Sequence, residues 1–144
     1  MDAGPGTAGR VVVPVTSRRV YLAARYSRRE EMIDVARQLR DRGHEVTSRW
    51  IEGNHLITEE QLVNDRTLGI RLASEDCDDL ERADLVISFT EPPRSAPNRG
   101  GRHVEYGLAL GLGTECWVVG PRENVFHVLA DRVFATWGEA LGAL

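Results

Sequence analysis

Strand-like and helix-like segments alternate along this chain, and the strand-like ones are short apolar runs rather than polar–apolar alternations. Such runs suit strands covered on both faces of a parallel sheet. Glycines follow two of the helical stretches, Gly43 and Gly113, where helices commonly end. The predicted fold class is therefore α/β: a three-layer sandwich around a parallel five-stranded sheet with right-handed crossovers.

The elements follow in order. Residues 1–18 carry Gly and Pro, then VVVPV, in which Pro14 breaks the apolar run; they read as a flexible tail with room for an edge strand. Residues 19–144 read as one domain. VYLAA (Val20–Ala24) is the first strand. Arg28 to Arg42 is helical, with Met32, Ile33, Ala36 and Leu39 on one face. HEVTSRWI (His44–Ile51) reads as the second strand, and Glu52 to His55 as a loop. Thr58 and Gln61 form a capping box. The helix it opens is patterned by Leu62, Val63, Leu68, Leu72 and Ala73, with a weak point at Gly69; a further helical segment spans about Ser74 to Arg82. DLVISF (Asp84–Phe89) is the third strand. A turn-rich loop then leads to a helix from about His103 to Leu112. CWVVG (Cys116–Gly120) is the fourth strand, Asn124–Ala130 a short helix, VFAT a fifth strand and WGEALGAL a last helix.

Composition removes several function classes. The 144 residues suit one domain, and 42% hydrophobic with 28% charged residues is ordinary for a soluble globular protein. No apolar run approaches the roughly 20 residues of a bilayer span. The start MDAGPGTAG lacks the features of a signal peptide, so a cytoplasmic setting is expected and no membrane partner. Cys77 and Cys116 provide neither a disulfide framework nor a metal pattern; no metal and no cofactor is expected. A net charge of −4 argues against a nucleic-acid polymer as partner. All 18 basic residues are arginine. The absence of lysine excludes Schiff-base chemistry and a Walker lysine, and no G-x-G-x-x-G or G-x-S-x-G occurs.

In a sheet of this kind the ligand lies beyond the carboxyl ends of the strands, where strand order reverses. Arg25, Tyr26 and Ser27 follow the first strand, the loop Thr90–Arg102 the third, and Pro121 to Asn124 the fourth. Gly100 and Gly101 allow a tight turn or a close approach to ligand. Glu105 is expected in the first helical turn after them, where the macrodipole favours an ionised carboxylate. It is either a nucleophile or only a complement to the helix start. Asp76 lies among Glu75, Asp78 and Asp79. Crowded carboxylates raise one another's pKa values, so one of them can carry a proton to a leaving group; Asp78 and Asp79 read instead as a solvated helix face. His103 either contacts substrate or sits near a helix start. Arg94, Arg99 and Arg102 either hold a phosphate or are solvated loop charges. Trp50, at the expected end of a strand, is a core or rim aromatic or a stacking platform.

Three motifs together resemble the nucleoside 2-deoxyribosyltransferase superfamily, including its 2'-deoxynucleoside 5'-monophosphate N-glycosidases. They are Tyr21-Leu22-Ala23-Ala24, Asp76 ahead of Ala83-Asp84, and Gly100-Gly101-Arg102-His103-Val104-Glu105-Tyr106-Gly107. The resemblance covers roughly residues 19–144 and implies a flavodoxin/Rossmann-like fold and cleavage or exchange of an N-glycosidic bond. It implies Glu105 as nucleophile, Asp76 as the group assisting the departing base, and Tyr21 as the residue orienting the glutamate. Substrate-binding candidates are Arg25, Tyr26, Trp50, Arg99, Gly100, Gly101, His103 and Asn124. Arg99 stands where transferases often carry an aspartate and nucleotide hydrolases a phosphate-binding serine, which favours a phosphorylated substrate. The implied partners are a nucleoside or nucleotide and a second copy of the chain, to which Asn124 would contribute. The alternatives are a cytokinin-activating-type phosphoribohydrolase and a nucleotide-binding module without turnover.

Overall fold

The computed structural model describes residues 16–53, 55, 57–93 and 99–144. Five strands, β1 (Arg19–Ala23), β2 (Glu45–Val46), β3 (Leu85–Phe89), β4 (Glu115–Val119) and β5 (Arg132–Phe134), form one parallel sheet in the order β2-β1-β3-β4-β5. The helices are α1 (Arg29–Asp41), α2 (Glu59–Asn64), α3 (Arg66–Glu81), α4 (Gly101–Gly111) and α5 (Trp137–Gly142). The predicted three-layer sandwich is thus observed. Hydrogen bonds from Trp137 to Gln38 and from Arg42 to the Leu141 carbonyl join α5 to α1, while α3 packs on α4. β2 and β3 flank β1 on opposite sides, so chain direction across the sheet reverses between β1 and β3. Such a reversal opens a crevice beyond the strand ends.

The central strands are buried throughout. Val20 to Ala23, Leu85 to Phe89 and Cys116 to Val119 form the core with Met32, Val35, Ala36 and Leu39 of α1. Val35, rather than the expected Ile33, completes the inner face of α1; Ile33 is exposed. Hydrogen bonds from the Arg19 guanidinium and N–H to Asp84 hold the start of β1 against β3. Ser17 and Arg18, placed in the tail from sequence, bond to the Gly43 carbonyl, His44 and Glu115. The expected edge strand around Pro14 lies outside the described residues.

Two expectations are corrected. The strand expected over His44–Ile51 has only Glu45 and Val46 in the ladder. Beyond them the edge of β1 is satisfied differently: the Leu22 N–H donates to Ser48 Oγ at 3.1 Å and Trp50 Nε1–H donates to the Leu22 carbonyl at 2.8 Å. Side chains replace the backbone ladder, which frees Arg49–Ile51 to form a 3-10 turn. The helical stretch after Thr58, whose capping box is present, breaks at Asp65 rather than Gly69. Asp65 caps the next helix by accepting the Leu68 N–H, so α3 runs unbroken through Ser74. Leu62 and Val63 are exposed, not core.

The carboxyl ends of β3 and β4 meet at Glu123. It accepts hydrogen bonds from the Glu91 N–H at 2.7 Å and from both terminal nitrogens of Arg102. Arg102, in the first turn of α4, has a side chain only 2% exposed. Burial alone would push the Glu123 carboxyl up, but the hydrogen bonds from Arg102 and Glu91 outweigh it and hold it low. Removing one partner of a buried ion pair leaves an uncompensated charge. Glu123→Ala is therefore expected to destabilise the fold by roughly 3–5 kcal/mol, read as a lower midpoint in denaturant; a midpoint within about 0.5 kcal/mol of the parent would show that the pair does not hold α4.

Candidate active site

α3 and α4 bring Asp76 and Glu105 together beside Tyr21 of β1, at the strand-order reversal. These are the three residues expected to act together, and the structure gathers them. Glu105 is neither walled off nor fully solvated: it is closely surrounded by protein and keeps a partly accessible face.

Its electrostatic state differs from expectation. α4 begins at Gly101, earlier than the expected His103, because Gly100 takes a left-handed turn at φ +76° that other residues rarely adopt. Glu105 consequently lies beyond the first turn, where the macrodipole has little hold. Burial, reinforced by the Asp76 charge, pushes the Glu105 carboxyl up to about 8, with the Tyr21 hydroxyl opposing. Burial, then Asp79 and Glu75, push Asp76 up to about 6 against Arg49. Two carboxyls this strongly linked titrate as a pair and hold one proton between those limits.

Tyr21 is fully buried, and its hydroxyl has no hydrogen-bond partner of normal geometry. The carboxyl that faces it is Glu105. Burial and both carboxylates drive the phenol pKa far upward, so Tyr21 stays a neutral donor. The Tyr21 hydroxyl opposes the rise of the Glu105 carboxyl without reversing it: Glu105 still lies above Asp76, so in the free protein the shared proton rests on Glu105 and the charge on Asp76.

Asp79 corrects the solvated-face reading. Its side chain is wholly buried, accepting from the Arg49 N–H at 2.9 Å, Arg49 Nε at 2.8 Å and Arg82 Nη2 at 3.0 Å. Asp78 is exposed, as expected. The role of Asp79 is to tie the Arg49–Ile51 turn to α3 and to lend negative potential to Asp76.

The remaining candidates divide. Trp50 is 5% exposed, with its one polar atom bonded to Leu22, so it is core rather than a stacking platform. It sits in the 3-10 turn, not at a strand end, with the half-open Tyr26 ring 6.3 Å away. Arg25 lies 3.9 Å from Glu91. Arg102 is occupied by Glu123 and is not a loop charge available to phosphate. Arg99 is exposed and donates to the Ile57 carbonyl; Arg94 lies outside the described residues. His103 meets Asn124 at 3.4 Å and Glu123 at 3.5 Å, while Asn124 also caps a 3-10 turn by accepting the Phe126 N–H. His55 was assigned only to a loop, yet its Nε2 lies 3.8 Å from Asp76 Oδ1. No helical spacing links it to α3, so the sequence carries no signal for this contact. Among the described residues no group of His, Cys, Asp and Glu is arranged to hold a metal ion, and no helix is long and apolar enough to cross a membrane.

Both raised carboxyls favour the protonated folded state, so the native state binds more protons than the unfolded chain between about pH 4 and 8. Their contribution is present at low pH and lost as pH rises through about 6 and then about 8. Glu105→Gln cannot ionise. Its stability relative to the parent is expected to rise from pH 5 to about pH 8 and then level off, by on the order of a few kcal/mol, read as a melting temperature that climbs relative to the parent over that range. A difference that stays constant with pH would contradict the raised Glu105 value.

No family model matches the sequence, and neither does any curated protein. Solved structures do match. A CMP N-glycosidase from Clostridium botulinum is 21% identical with a TM-score of 0.54, over 88% of this chain and 97% of the other. A 2-deoxyribosyltransferase from Bacillus psychrosaccharolyticus is 17% identical with a TM-score of 0.66, over 85% and 90%. A 2-desoxiribosyltransferase from Leishmania mexicana is 13% identical with a TM-score of 0.62, over 88% and 95%. The resemblance read from three short motifs therefore extends to the architecture: this chain has the fold of 2-deoxyribosyltransferases and of a CMP N-glycosidase.

Proposed function

We propose that the protein cleaves or exchanges the N-glycosidic bond of a nucleoside or its 5'-monophosphate. The observation that carries this reading is the coupled pair Glu105–Asp76, with the Tyr21 hydroxyl on the glutamate side. N-glycoside cleavage needs negative charge at the anomeric carbon and a proton at the departing nitrogen. A pair holding one proton supplies both, provided the proton is on Asp76 and the charge on Glu105. The free protein rests in the opposite arrangement, with Glu105 up to about 8 and Asp76 up to about 6. The reaction therefore requires the proton to pass from Glu105 to Asp76 once substrate is bound, and the Tyr21 hydroxyl, which opposes the rise of Glu105, assists that exchange.

The steps balance without a further reagent. A Glu105 oxygen attacks the anomeric carbon through an oxocarbenium-like state. The C–N bonding pair leaves with the base, which takes the Asp76 proton. Water or an incoming base then attacks the glycosyl ester, gives its proton to Asp76 and releases Glu105. Water makes the protein a hydrolase; a second base makes it a transferase. The fold shared with proteins named for both chemistries supports the bond class and leaves both acceptors open.

Glu105→Ala is expected to lower base release from a panel of nucleosides and 5'-monophosphates by roughly 1,000-fold or more, followed by chromatography, with the fold retained by circular dichroism. Turnover at the parental rate would remove Glu105 as the nucleophile. Arg99 is the basic group we assign to a 5'-phosphate, its exposed guanidinium being held near the Gly100 turn by the Ile57 carbonyl. Arg99→Ala should raise KM for monophosphates about tenfold while leaving the nucleoside KM nearly unchanged; equal effects would remove the phosphate assignment.

A further inference from the structure

The loop between the Arg49–Ile51 turn and α2 carries a histidine with no hydrogen bonds. The His55 side chain is 10% exposed, and neither ring nitrogen has a partner. Nε2 points between two carboxylates of α3, lying 3.4 Å from Glu75 Oε2 and 3.8 Å from Asp76 Oδ1. Asp76 Oδ1 is itself buried and unpartnered. The ring lies tight against Gly53, where an added Cβ would sit 3.0 Å from Nδ1 and 3.1 Å from Cε1.

Unpaired buried polar atoms are costly, and here three of them, His55 Nε2, Glu75 Oε2 and Asp76 Oδ1, lie close together. The carboxylates facing Nε2 select the tautomer with its proton there. The nearer acceptor, Glu75 Oε2, also lacks a hydrogen bond, but the Glu75 charge is balanced by two arginines, Arg49 at 3.7 Å and Arg71 at 3.6 Å. Among the described residues no arginine lies within ion-pair distance of Asp76, so the Nε2–H has most to gain from Asp76 once that carboxyl is ionised.

We propose that His55 is a positioning residue for Asp76, its Nε2–H closing onto the Asp76 carboxylate as that group gives its proton to the leaving base. This deepens the functional reading above and rests on it. His55 keeps its own proton throughout: the Asp76 O–H bond breaks, the base nitrogen gains the proton, and the new carboxylate oxygen accepts the imidazole N–H. The groups facing the ring are Arg71, Glu75, Asp76 and Asp79 of α3 and Arg49 of the preceding turn. Burial, aided by Arg71 and Arg49, outweighs Glu75 and Asp79 and keeps the imidazole neutral. A neutral donor can stabilise the Asp76 anion without becoming an acid that competes for the base.

The test compares His55→Phe, which keeps a ring and loses the donor, with His55→Gln, which restores one. Two readouts are taken: base release across pH 5–9 on the nucleoside and monophosphate panel, and the Asp76 carboxyl titration by carbon-13 NMR in the free protein. In His55→Phe the Asp76 midpoint should rise by about one pH unit, and kcat should fall about tenfold with KM changed less than about threefold. The alkaline limb of the rate profile should move up with the midpoint, and His55→Gln should recover most of both changes. An unmoved Asp76 midpoint in His55→Phe overturns the proposal, as does failure of His55→Gln to recover either change. If the parent protein releases no base from any substrate while the midpoint still moves, the His55–Asp76 pairing stands and the functional reading fails.

Discussion

Two carboxyl groups brought close together, both pushed up by burial, set the character of this molecule. Asp76 and Glu105 come from different helices, and each is held where water reaches it poorly. Ordinary folding would avoid such a placement, because each charge disfavours the other and burial disfavours both. The arrangement is possible because β1 lies between its two crossover partners and presents Tyr21 beneath the gap. The parallel sheet thus does more than bury apolar surface: its strand order decides which two helices face each other.

The surroundings of the pair are firmly tied. Arg102 and Glu123 join the first turn of α4 to the segments following β3 and β4. Asp79 joins the turn after β2 to the last turn of α3 through Arg49. Both ties use a planar guanidinium with several donors, for which lysine is a poor substitute. A chain whose cations are all arginine is suited to such forked contacts. Against this framework, the unpaired atoms of Tyr21, His55 and Asp76 stand out. Other buried atoms also lack a hydrogen bond, Ser88 Oγ and His44 Nε2 among them, but those of Tyr21, His55 and Asp76 belong to the residues of the proposed chemistry.

The sheet was legible because its strands are continuous apolar runs, and the order of elements followed from their alternation with amphipathic helices. The Thr58–Gln61 box and the Gly100–Gly101 turn announced themselves through local chemistry. The second strand was misread because HEVTSRWI has strand-forming composition, while Ser48 and Trp50 spend their polar atoms on the edge of β1. The break at Asp65 was missed because a cap competes with glycine as a helix boundary and here prevails. Glu105 and Asp76 were singled out by their places near the strand ends and Tyr21 only through the family resemblance; placing Glu105 in the first helical turn misjudged its resting charge. That charge depends on how the helices pack, which no local pattern records. Asp79 and His55 escaped for the same reason: their partners are distant in sequence.

The proposed reaction passes through a covalent bond between Glu105 and the sugar. It is tested most directly by mass spectrometry of the protein quenched during turnover and digested with a protease. A sugar, or sugar phosphate, is expected on the peptide that contains Glu105, appearing as base is released and disappearing when acceptor is supplied. Base release accompanied by an adduct on a different residue would contradict it.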